Sequence, residues 1–119
     1  MTKREFVDAL VEVAFDQVIS GEISTLLDPP GRSPSTDLVA RSEWFSGLPE
    51  DDRSLVVDSM RSAAYGVLHR VLCVLDGVAA VDSRPNKGAL TLTYERDGSS
   101  VDLTSRAEAD LHALLAEHR

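Results

Sequence analysis

The sequence predicts an α+β domain: three N-terminal helices, the third long and central, a two- or three-stranded antiparallel sheet, and a C-terminal helix. Three observations carry that prediction. Apolar residues recur every three or four positions through residues 7–18 and again through 56–75, the helical period. The period drops to two over residues 89–95, and Asp97-Gly98 follows as a tight hairpin turn. With 119 residues, 43% apolar and 27% charged, the chain has the size and composition of one globular domain spanning 1–119.

The first helix is expected to start at Thr2, whose hydroxyl caps while Glu5 reaches back, and to stop at Ser20-Gly21. Val7, Leu10, Val11, Ala14, Phe15 and Val18 form its inward stripe. Residues 28–35 contain three prolines, which lack amide donors and force their predecessors extended, so they form a stiff connector. A short helix over 37–46 follows, capped by Ser35 or Thr36 and ended by Gly47, with Trp44 and Phe45 among its contacts. A lone tryptophan in a small domain reads as core.

Leu48-Pro49-Glu50-Asp51-Asp52 opens the long helix, with proline in the first turn and three carboxylates at the positive end of the dipole. Asp76-Gly77 closes it. Residues 78–82 read as a short strand, and Leu90, Leu92 and Tyr94 alternate with Thr91, Thr93 and Glu95 on the next. If Asp97 and Gly98 are the central turn residues, Arg96 pairs with Ser99, Tyr94 with Val101, and Leu92 with Leu103. The apolar face of this hairpin should be covered by helices. Ser105 with Glu108 is a second capping box, predicting that the last helix opens there.

Composition and motifs exclude several functions. Twelve basic against twenty acidic residues give a net charge of −8, which repels a phosphate backbone, so no nucleic-acid partner is expected. No stretch fits a signal peptide or membrane span, and the single cysteine, Cys73, rules out an intrachain disulfide; a reducing cytoplasm is the expected compartment. The seven glycines are scattered as caps and turns and form no phosphate-binding loop, and Gly-x-Ser-x-Gly is missing, so no cofactor is assigned. His69 and Cys73 lie one helical turn apart, but the aliphatic setting of Cys73 disfavours a thiolate and reads as packing. Glu12 with Asp16 and Glu108 with His112 each supply only two metal ligands. No catalytic or metal-binding residue is assigned.

What remains is charge. Between Arg4 and Arg32 stand six acids and no Lys or Arg, and Glu5, Asp8, Glu12 and Asp16 share the outer side of the first helix. The expected function is that of a small cytosolic interaction module, of the immunity-protein, antitoxin or adaptor kind, using this stripe to bind a basic protein partner. The alternative is a small-molecule binder, sensor or unrecognised enzyme with a pocket around His69, Arg70 and Tyr94. Pro30, Gly31 and Arg32, on the stiff connector, form a candidate loop contact.

Overall fold

The computed structural model describes all 119 residues. It contains helix α1 (residues 3–27), α2 (Thr36–Ser46), α3 (Glu50–Leu75), strands β1 (Thr93–Arg96) and β2 (Ser99–Asp102), and α4 (Leu111–Ala116). The fold is thus α+β with a two-stranded antiparallel sheet. Helices α1 and α3 run antiparallel, since Val7 meets Leu72 at one end while Ile23 and Leu27 border Arg53 and Val57 at the other.

Helix α1 is longer than expected and changes pitch in its middle. Thr2 and Glu5 form the expected capping box, but between the α-helical segments Lys3–Leu10 and Gln17–Leu27 lies a π-helical stretch, Val11–Asp16. There the amide of Gln17 donates to the carbonyl of Glu12, five residues back. The wider turn takes up one extra residue, so the inward stripe slips by one position: Val7 is buried before it, and Ile19 and Leu26 after it. Ala14 and Val18, expected inside, are therefore exposed.

The predicted stop at Ser20-Gly21 does not occur. A mid-helix glycine costs about 1 kcal/mol, which tertiary packing of the next two turns outweighs. Leu26 and Phe45 are buried, and the Ser42 hydroxyl donates to the Leu26 carbonyl at 2.6 Å, tying α1 to α2. The helix ends only when Asp28 turns extended ahead of Pro29. Trp44, expected in the core, is 57% exposed because Ser42 and Phe45 occupy the inward side of α2.

Residues 78–82 form no strand. At the end of α3, Gly77 takes φ +77°, its amide donates to Val74, and the amides of Val78 and Ala79 both donate to Cys73. This helix stop consumes the donors that a strand would need. The hairpin has the predicted register, Arg96 with Ser99 and Tyr94 with Val101, and Asp97 and Gly98 both adopt positive φ. Leu103 continues the pairing by donating to the Leu92 carbonyl at 2.8 Å. Of its apolar face only Leu103 is buried; Val101 stays exposed.

The last helix opens at Leu111, not at Ser105. The buried ammonium of Lys3 holds the carbonyls of Ser105 and Ala109, which fixes the intervening loop, and the Ser105 hydroxyl accepts the amide of Ala107. The helix N-terminus is capped from elsewhere. The Asp76 carboxylate accepts the amides of Leu111 at 3.1 Å and His112 at 2.8 Å. Val7, Leu72, Leu111, Leu114 and Leu115 form the main core beneath this junction.

Candidate functional site

The four acids of α1 meet different fates. Glu5 is taken up by capping: its carboxylate accepts the amide of Thr2 at 2.8 Å and lies 3.8 Å from the N-terminal ammonium. Asp8 receives Nε2 of His118 at 2.7 Å. Alongside, Arg4 pairs with Glu117, and the hydrogen-bonded guanidinium holds the Glu117 carboxyl below its ordinary range. Glu12 and Asp16 have no such partner. Both are exposed on the π-helical turn, and neither pairs with the C-terminal residues that bond to the start of the helix. The wide turn thus carries two unpaired carboxylates of a segment without Lys or Arg, with Glu22 and Asp28 likewise unpaired farther along.

The expected pocket residues are not brought together. His69 stacks on Tyr65 at 6.0 Å between ring centroids and meets the edge of His112 at 5.8 Å. The guanidinium of Arg119 covers Tyr65 at 5.2 Å. Arg70 points away and is exposed. Tyr94 instead lines a groove with Met1, Glu5 and Arg96, at the foot of α1. The Cys73 sulfur is buried and lies 3.8 and 3.9 Å from the two ring nitrogens of His69, so neither nitrogen is aimed at it alone.

Below His69, Asp76 is 1% exposed and bonds Nδ1 of His112 at 2.7 Å in addition to the two amides it caps. A carboxylate oxygen accepts, so Nδ1 is the ring nitrogen that donates to Asp76. The pair joins α3 to α4 and fixes the ring. No three His, Cys, Asp or Glu side chains converge closely enough to hold a metal ion. Pro30, Gly31 and Arg32 are exposed, with Gly31 at φ +88°.

A cleft of about 350 Å³ that sequence reasoning missed lies between the end of α3, residues 79–91 and the foot of the hairpin. Lys87 and Arg106 line it together with Asp82, Asp102 and Thr104. The one local signal was Asp82-Ser83-Arg84-Pro85, a sequence able to fold back on its own carboxylate. Asp82 does so, accepting the Arg84 side chain at 2.9 and 3.0 Å, the Arg84 amide at 3.0 Å and the Gly88 amide at 3.4 Å. Those bonds hold its carboxyl down at about 2.

No helix of the structure is long and apolar enough to cross a membrane. No family model matches the chain, and neither a curated protein nor a solved structure is measurably similar to it.

Proposed function

We propose that the protein is a small interaction module, of the immunity-protein, antitoxin or adaptor kind, that binds a basic protein partner through the acidic side of α1. The observation that supports this reading is the isolation of Glu12 and Asp16. Of the stripe, Glu5 lies beside the N-terminal ammonium and Asp8 is hydrogen-bonded to His118, whereas Glu12 and Asp16 stand exposed without a cation, as Glu22 and Asp28 do farther along the chain. Like charges one turn apart destabilise a helix by a few tenths of a kcal/mol, and an incoming Lys or Arg relieves that repulsion. Glu5 and Asp8 then frame the contact rather than lead it.

The test starts with affinity capture from a lysate of the native cell at low salt. Association of the recovered partner is then compared for wild type and Glu12→Gln/Asp16→Gln across a salt series. The double variant should associate several-fold more slowly with a flatter salt dependence, because charges within a Debye length of about 8 Å steer the encounter. Parallel curves would sink the proposal. A second reading, a small-molecule binder, draws on the cleft beside Lys87 and Arg106 and not on His69, Arg70 and Tyr94.

A further inference from the structure

The surface of α3 opposite the core is apolar along most of its length. At 100° per residue, Val56, Met60, Ala63, Val67, Val71 and Val74 fall within one sector of about 80°. Val67 is 66% exposed and Val71 50% exposed, whereas Leu72, on the side facing α1 and α4, has no exposed surface. No charged side chain interrupts the sector between Val56 and Val74; Arg53 precedes it and Arg70 lies on its edge.

The chain exposes more surface than its mass requires. A monomeric 12.9 kDa chain exposes about 6,300 Å², whereas this one exposes 8361 Å² and has a radius of gyration of 18.6 Å where about 13.5 Å is usual. The excess of about 2,000 Å² is larger than the roughly 800 Å² that each partner contributes to a standard interface. We propose that the occupant is a second copy of this chain, docked through an antiparallel α3–α3 contact.

Self-pairing follows from the spacing of the stripe, which is nearly symmetric about position 65. An antiparallel two-fold axis there sets Val56 against Val74, Ala63 against Val67, and Met60 next to Val71. The alanine lies opposite the larger valine, so side chains interdigitate at an ordinary interaxial distance of about 8–10 Å. A parallel pair would bring Glu50, Asp51 and Asp52 of both copies together at one end and align the helix dipoles, both unfavourable. The stripe is separate from the acid face of α1, so the two proposals stand or fall independently.

Sedimentation velocity at about 50 µM tests the dimer, which should sediment at twice the chain mass. Because each copy carries a net charge of −8, added salt should tighten this association, the opposite of its effect on a basic partner. Val67→Glu and Val71→Glu should each give a monomer with unchanged circular dichroism, since both sites are exposed in the single chain. Leu55→Glu, 64% exposed but about a third of a turn around α3 from Val67, should stay dimeric. In a Cys73→Ala background, mixing Ala63→Cys with Val67→Cys should yield the mixed disulfide in preference to either homodisulfide. A wild-type monomer at this concentration, or a dimer that survives both glutamate substitutions, overturns the proposal, and preferential homodisulfides overturn the antiparallel arrangement.

Discussion

At the C-terminal end of α3, Leu72 has no exposed surface and is enclosed by Val7, Leu111, Leu114 and Leu115; toward the N-terminal end, Leu55 is 64% exposed. The two leucines sit on one helix about 100° apart, so Leu72 points into the core while Leu55 lies on the flank, and the polar stitching also differs between the two ends. Near Leu72, Lys3 fastens two loop carbonyls, Asp76 caps α4, and Arg4–Glu117 and Asp8–His118 close the seam between α1 and the C-terminus. Near Leu55 the ties are fewer. Ser42 bonds to Leu26, and the buried Nε of Arg53 has no partner at all. Position around the helix thus decides which leucine is enclosed, while directional bonds from sequence-distant residues fasten the end that holds Leu72.

That contrast can be broken by truncation. Leu72→Ala should cost about 3–5 kcal/mol, because it deletes transfer energy and leaves a cavity that the clamped neighbours cannot collapse into. Leu55→Ala should stay within about 0.5 kcal/mol. Urea unfolding of both variants measures the difference. Equal losses would mean that the N-terminal half of α3 is as enclosed as the C-terminal half, contrary to the exposure of Leu55.

The same distinction separates what was legible in the sequence from what was not. The bounds of α3, the Thr2–Glu5 and Ser35 caps and the register around Asp97-Gly98 are written in residues a few positions apart, and they appear where the sequence places them. The continuation of α1 through Gly21 depends on α2, and the late start of α4 depends on Lys3 and Asp76, which lie far away along the chain. For the candidate site, the acid stripe was visible as composition. Which acids are free was not, because Asp8 is hydrogen-bonded to His118, 110 positions later. Nothing local in α1 announces the π-helical turn that slips its inward face by one residue.

The hairpin sharpens the comparison, since its order is local and only its base reaches the core. Gly98 has φ +78°, and a Cβ added there meets no atom within 4 Å, so Gly98→Val carries backbone strain alone. A loss of about 1–3 kcal/mol is expected for a bulky residue in that region. Amide exchange reads where the loss falls. The Leu103 amide, bonded to Leu92, should exchange faster, while amides around Leu72 stay protected to the global limit. Equal acceleration at both places would show that hairpin and core open as one unit.

The smallest effect belongs to the loop at Asp82, which shares the cleft with the end of α3. Its carboxyl is held down at about 2 from an ordinary 3.8, chiefly by the Arg84 side chain and then by the Arg84 amide. A carboxyl lowered by folding contributes stability that is complete above its unfolded value and is lost as pH falls through its folded one. The window is therefore about pH 4 down to about 2, and nothing should change near neutrality. Arg84 is exposed and Asp82 half-buried, so solvent screens the pair, and the expected readout is the titration itself rather than a shift in the unfolding midpoint. Carboxyl-carbon NMR should place the Asp82 midpoint near 2 in the wild type and return it toward the ordinary value in Arg84→Gln. Because the Gly88 amide rests on the same carboxylate, its resonance should titrate in parallel, reporting that the loop bordering Lys87 loosens as Asp82 takes up its proton. An Asp82 that titrates at its ordinary value in the wild type would mean that the loop is not closed in solution and that the cleft wall is not fixed.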